Sequence, residues 1–148
     1  MLAALLYAHC QKYIEGKRLI FEEQKKSLQF ALTSESKSSA GDKHETGRAM
    51  IQLEREKLGN QIAEVEQNQQ KLKAIKNYNS SNAVSMGSIV LTDKANYYLA
   101  IAADICEIDS RKYYCISAQS PIGLRLLGKR VNDQVEFNNL TSTILKII

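Results

Sequence analysis

Ser34-Glu35-Ser36-Lys37-Ser38-Ser39-Ala40-Gly41-Asp42 is the Ser/Gly-dense run in the first half of the chain. Ser and Gly favour turns over helix interiors, so this run reads as a turn. Apolar residues recur at seven-residue spacing on either side of it: Tyr7, Ile14, Phe21 and Leu28 before, Ile51, Leu58, Val65 and Leu72 after. Such repeats mark helices that wrap around a partner helix. Folding the chain back so that Leu28 meets Ile51 also pairs Phe21 with Leu58, Ile14 with Val65 and Tyr7 with Leu72. Equal spacing makes the later pairs follow from the first, so the independent observation is the midpoint. It falls between Ser39 and Ala40, inside the turn run. Residues 1–78 therefore read as an antiparallel coiled-coil hairpin, with its turn between about Lys37 and Lys43.

From about residue 3 to 37 there is no Pro, Gly16 is the only Gly, and the polar residues are mostly good helix formers. At 1.5 Å rise per residue such a helix is roughly 50 Å long. The second helix is expected from Lys43 to about Asn77, with Ile62 and Ile75 adding to its seam. The companion seam positions of the first helix are Cys10, Lys17, Gln24 and Ala31, a poor set for a dry core. A half-polar hairpin is marginal alone, so its base needs bracing by the rest of the chain.

Asn77-Tyr78-Asn79-Ser80-Ser81-Asn82 reads as a linker, and the pattern then changes period. Short β-branched or aromatic runs follow at Ser88–Thr92, Tyr97–Ala102, Tyr113–Ser117, Gln134–Phe137 and Ser142–Ile147. Between the third and fourth, Ser120 is an N-cap candidate, Pro121 suits the first helical position and Gly128 suits the C-terminal cap. The fold class is thus α+β, a helical hairpin followed over residues 84–148 by a small antiparallel sheet with one short helix. That helix is expected over Pro121–Leu127, with its Leu124 and Leu127 side on the sheet.

Lys and Arg outnumber Asp and Glu by 20 to 16, a net charge of +4, with no basic tail. This mild excess suits nucleic acid or an acidic partner without requiring either. The apolar opening Met1–Ala8 lacks a positive n-region and gives way to His9 and Lys12 too soon to span a bilayer. It is expected to pack as a helix start, with no membrane association. Cys10, Cys106 and Cys115 are widely spaced, and with only two histidines a zinc site is not expected. Unpaired thiols point to a reducing, cytoplasmic setting. Cys115 reads as a small buried hydrophobe.

Gly41-Asp42-Lys43-His44-Glu45 places two carboxylates at the hairpin tip. Asp-x-x-Glu at a helix start can form a capping box and complement the helix dipole. The same pair can also converge on one Mg²⁺, so both roles stay open. His44 reads as solvated. Lys17-Arg18 and Lys25-Lys26 could face RNA or an acidic wall, or form a solvated helix face. Tyr97-Tyr98 and Tyr113-Tyr114 resemble base-stacking platforms, but alternation in a strand puts one tyrosine of each pair into the core. No Gly-rich phosphate loop or Ser/His/Asp set is present.

Two stretches resemble the Gre transcript-cleavage factors of bacterial RNA polymerase. Ser120-Pro121-Ile122-Gly123, Leu126-Leu127-Gly128-Lys129, Asp133 and Val135 are similar to that family's S-P-(I/L)-(G/A)-x-x-L-(L/I)-G-K-x-x-G-D-x-V, with Asn132 in place of the last Gly. Gly41-Asp42-x-x-Glu45 resembles G-D-(L/x)-x-E-N-A-E-Y, but Thr46-Gly47-Arg48-Ala49 stands where that pattern has N-A-E-Y. The resemblance implies an FKBP-like β domain behind the coiled coil, without prolyl isomerase activity. It also implies a monomer whose partner is bacterial RNA polymerase, contacting the nascent RNA 3′ end only indirectly. The finger would enter the secondary channel and promote hydrolysis of backtracked RNA. Asp42 and Glu45 would assist a Mg²⁺ shared with the polymerase active site, and the free protein would carry no cofactor and no catalysis of its own. Docking is implied near Ser120, Pro121, Ile122 and Gly123. Two alternatives remain: a channel-binding regulator that acts without cleavage, and a coiled-coil interaction adaptor.

Overall fold

The computed structural model describes residues 1–36 and 41–148, and side chains outside 35–44. The expected turn over 37–40 lies outside the described residues. Helix α1 runs Leu2–Ser36 and α2 runs Gly41–Ala74. Six strands follow, β1 Ile89–Thr92, β2 Asn96–Ala100, β3 Cys106–Ile108, β4 Arg111–Ser117, β5 Gln134–Phe137 and β6 Leu140–Ile147, with α3 at Pro121–Leu126. The chain divides into two compact units, residues 14–67 and residues 1–13 with 68–148.

In the first unit the heptad positions are withdrawn from water. Ile14, Leu58 and Val65 are buried, while Phe21, Leu28 and Ile51 are half-buried. Glu23, Gln24, Ser27 and Leu28 face Glu54, Lys57, Leu58 and Gln61 across a groove of about 510 Å³. This pairing requires the two helices to run antiparallel. The groove opens where polar Gln24 occupies a seam position, which is the local cost of a half-polar seam.

The second unit is built on a sheet of order β3-β4-β2-β1-β6-β5. Four of its pairings are antiparallel, but β2 and β4 pair in parallel, Tyr98 opposite Cys115. The sheet is therefore mixed, a correction to the antiparallel sheet read from sequence. The cause is β3, whose three residues are too short to show a period. Its hairpin turn, Asp109-Ser110, has positive φ at both residues, as a tight two-residue hairpin requires. The hairpin folds β4 inward against β2 and leaves β3 on the edge. Asn138-Asn139 makes the same kind of turn between β5 and β6.

One face of the sheet carries the main core: Val90, Leu99, Ile144 and Val135 with Val84 and Leu126, flanked by Tyr97, Ile116, Ile122 and Ile147. The registers Ile89–Tyr98, Tyr98–Cys115 and Cys106–Tyr113 put these five residues on the other face. The first turns of α1 cover that face. Leu6 and Cys10 are fully buried, with Cys10 near Cys115 and Tyr98 of that face. His9 Nε2 lies 2.9 Å from Asp104 Oδ1 and 3.0 Å from the Asp104 carbonyl oxygen. The apolar opening of the chain is thus a docked helix start. No helix among the described residues is long and apolar enough to cross a membrane. Each tyrosine pair splits as alternation demands: Tyr98 and Tyr113 are buried, while Tyr97 and Tyr114 sit across the other face with ring centroids 6.0 Å apart.

Candidate functional site

Two regions carry the residues singled out by sequence. The first is the start of α2. Asp42 lies in α2, Gly41–Ala74. Glu45 follows three positions later and is exposed, as are Thr46 and Arg48. The side chains of Asp42 and His44 lie outside the described residues. Gly47 is half-buried within the helix, a position that costs roughly 1 kcal/mol relative to Ala. Two carboxylates are too few to hold Mg²⁺ by themselves, but they suit an ion that keeps its waters and takes further oxygen ligands from a partner. Among the described residues no group of three or more His, Cys, Asp or Glu side chains is arranged to hold a metal ion.

The basic pairs on α1 are partly neutralised by their own helix. Arg18 forms a forked pair with Glu15, its Nη2 2.6 Å from Oε1 and its Nε 3.0 Å from Oε2. That guanidinium holds the exposed Glu15 carboxyl below the usual carboxylate range. Lys26 Nζ lies 3.7 Å from Glu23 Oε1. These are solvated contacts worth little to stability, and they fit the reading of a solvated face better than a nucleic-acid stripe.

The second region is Ser120–Val135, where each conspicuous residue has a local structural reason. Ser120 Oγ accepts from the Gly123 backbone N–H at 3.1 Å and donates to the Ser117 carbonyl at 2.6 Å. It thereby caps α3 and ties it to the end of β4. Pro121 follows at the first helical position. A Cβ on Gly123 would lie 2.2 Å from the Ser117 carbonyl oxygen, so only Gly lets α3 approach this closely. Ile122 and Leu126, four apart, face the core. Leu124 and Leu127 are 62% and 37% exposed, so the side expected to pack on the sheet is in fact the outward one. The core side is set by the cap, which rotates Ile122 inward. Gly128 has φ +79°, and its N–H donates to the Val84 carbonyl. Asn132 has φ +75°, a conformation that Gly and Asn both tolerate, which explains the exchange at that position. Asp133 Oδ2 accepts from the Arg130 N–H at 2.7 Å and closes the turn into β5.

Of the docking candidates, Gly123 is buried, Ser120 and Ile122 are half-buried and Pro121 is exposed. Beside Pro121 a cleft of about 490 Å³ is lined by Arg125, Glu136, Phe137, Asn138 and Asn139. The reading of the sequence did not single out these residues. They lie on two separate elements, and no motif in either segment announces that the β5–β6 turn folds against α3.

The sequence of residues 79–148 matches the family described as "Transcription elongation factor, GreA/GreB, C-term". The match spans the whole sheet and the capped α3, the elements whose geometry accounts for the motif. Residues 79–148 carry a Gre-type C-terminal domain. Among solved structures, the GreA factor homolog 1 (Gfh1) protein of Thermus thermophilus aligns with 21% identity over 96% of this chain and 94% of that one, with a TM-score of 0.36. A second structure, of the transcription factor Gfh1, aligns with 20% identity over 95% and 92%, with a TM-score of 0.35. No curated protein gives a significant match. The family match covers the six strands and α3 and lies C-terminal to both long helices.

Proposed function

We propose that this protein binds bacterial RNA polymerase through its Gre-type β unit, enters the secondary channel with its helical hairpin and promotes cleavage of backtracked RNA. The observation that carries this reading is the match of residues 79–148 to the GreA/GreB C-terminal domain, on a chain that begins with an antiparallel hairpin. The packed heptad seam gives the hairpin reach and stiffness, and the exposed cleft beside Pro121 offers a docking surface. Asp42 and Glu45, three positions apart in the first turn of α2, are the groups that would approach the reacting phosphodiester. A Mg²⁺ shared between these acids and the polymerase would supply Lewis acidity and an activated water. The chain's own part is to place negative oxygen ligands at the channel's end, and the catalytic centre belongs to the polymerase.

A second reading has its own support. Arg48 is exposed three positions beyond Glu45, where the family pattern places an acid, so a cation stands beside the ligand pair. A tip of that composition could occupy the channel and restrain polymerase without hydrolysis. The double variant Asp42→Asn with Glu45→Gln separates the cases. It removes two negative charges and leaves neutral amide oxygens, which are poor Mg²⁺ ligands. Under the cleavage reading the variant folds and binds polymerase like the parent but loses cleavage of backtracked RNA. Full cleavage by the variant would refute the role of the acids. Binding without cleavage by the parent would establish the regulator instead.

A further inference from the structure

Residues 77–82 have the composition of a linker, yet the chain on both sides of them is fastened to the sheet. Past Ala74 the backbone turns on through three short-range bonds. The Ile75 N–H donates to the Leu72 carbonyl at 3.2 Å, Lys76 to Lys73 at 3.2 Å and Tyr78 to Ile75 at 3.1 Å. This turn delivers Tyr78 to Gly87-Ser88, just ahead of β1. The Tyr78 hydroxyl lies 2.7 Å from Oγ of Ser88, a fully buried serine that also accepts from the Ser85 N–H at 3.0 Å. The Tyr78 ring lies against Gly87, where a Cβ would come within 2.7 Å of its Cγ and Cδ2. Gly87 has φ +96°, so both the space and the backbone conformation require glycine there. The receiving backbone is itself tied to β2: the Gly87 N–H donates to the Leu99 carbonyl at 2.7 Å, and the Leu99 N–H donates to the Ser88 carbonyl at 3.0 Å. On the far side of the linker the Val84 N–H donates to the Lys129 carbonyl at 2.8 Å. Residues 79–82 are left as an exposed loop held at both ends. A flexible tether needs only its small polar residues, not an aromatic anchored on a buried serine.

We propose that Tyr78 is a positioning residue that clamps the end of α2 to the sheet and thereby steadies the far end of that helix when the protein acts on its partner. The inference rests on the polymerase-binding reading above. The clamp residues and the last turns of α2 belong to one compact unit with the sheet. The helix itself is continuous for 34 residues, roughly 50 Å at 1.5 Å rise per residue. A tilt of about 5° at its base therefore displaces its other end, which carries Asp42 and Glu45, by roughly 4 Å. Groups that must meet a reacting phosphodiester tolerate far less, since a misplacement of about 1 Å can cost about a hundredfold in rate. Ring and hydroxyl have separate parts. The ring on Gly87 resists translation of the helix end, and the bond to Ser88 resists its rotation. Without them the exposed loop would leave the end of α2 free to rock on the sheet.

The test compares the full-length protein with Tyr78→Ala, Tyr78→Phe and Ser81→Ala, the last removing only the Ser81–Ala83 bonds within the loop. In the free protein, amide hydrogen exchange should quicken at Ile75 and Lys76 in Tyr78→Ala and stay unchanged at Ile144, whose N–H donates to the Asp133 carbonyl. On a backtracked elongation complex, Tyr78→Ala should half-saturate at the parent's concentration but reach a cleavage plateau about tenfold lower. Tyr78→Phe keeps the ring and should fall between the two, and Ser81→Ala should match the parent. If the parent binds and restrains polymerase without cleavage, the same order is expected in the plateau of inhibited nucleotide addition. If Tyr78→Ala does not fold, Tyr78→Phe decides both measurements. If the parent does not bind polymerase, that reading fails separately and the exchange rates alone decide the clamp. Unchanged exchange at Ile75 and Lys76, a parent-like plateau in Tyr78→Ala, a loss confined to binding, or an equal loss in Ser81→Ala would each overturn the proposal.

Discussion

Gly123→Ala tests the reason for the Ser-Pro-Ile-Gly motif directly. The added methyl would meet the Ser117 carbonyl oxygen at 2.2 Å, Ser120 Oγ at 2.9 Å and the Ala118 carbonyl carbon at 3.1 Å. The nearest atom is backbone, and the same oxygen already accepts from Ser120 at 2.6 Å. Relief requires α3 to lift from β4 by roughly an ångström, a forced overpacking that costs about 1–3 kcal/mol. The lift also breaks the Ser120–Gly123 cap, adding about 1 kcal/mol. A loss of roughly 3 kcal/mol follows, about 10 °C in Tm. Urea unfolding followed by near-ultraviolet circular dichroism reads it, since the chain has seven tyrosines and no tryptophan. Gly59→Ala is the control. It sits inside α2 with nothing within 4 Å of its added Cβ, and it should stabilise by about 1 kcal/mol. If Gly123→Ala unfolds within about 0.5 kcal/mol of the parent, the close approach of α3 is not what fixes this glycine.

Asn132→Gly should preserve stability to a few tenths of a kcal/mol, whereas Asn132→Val should cost about 1–2 kcal/mol, because φ +75° penalises a branched side chain. Val65→Ala empties a heptad position that is 3% exposed and should cost about 2–3 kcal/mol, read from the helical signal at 222 nm. Burial pushes the Tyr98 hydroxyl well above the ordinary tyrosine value. Its neutral form is the folded one, so its contribution is intact below pH about 10 and declines as pH rises beyond it; Tyr98→Phe should flatten that decline in urea midpoints.

The hairpin was legible because a coiled-coil seam writes its period into sequence, and every heptad residue from Tyr7 to Leu72 is at least half-buried. The turn run at 34–42 falls at the midpoint of that period. Five of the six strands were legible by β-branched and aromatic content. The sixth, Cys106–Ile108, was not, and with it the parallel β2–β4 pair escaped notice, because three residues cannot display alternation. The inward side of α3 was misread for a related reason. Leu124 and Leu127 look like core in a short apolar run, but the cap at Ser120 decides which side turns in, and it turns Ile122 and Leu126. The cleft beside Pro121 is assembled by tertiary contacts between segments with no shared signature.

The central claim is that this chain acts on a stalled polymerase to restore its RNA 3′ end. The direct measurement adds the full-length protein to a backtracked elongation complex from its own host, at a concentration that saturates binding. The account predicts RNA shortened from the 3′ end that is then extended again when nucleotides are supplied. Unchanged RNA length in a complex that demonstrably holds the protein would contradict it.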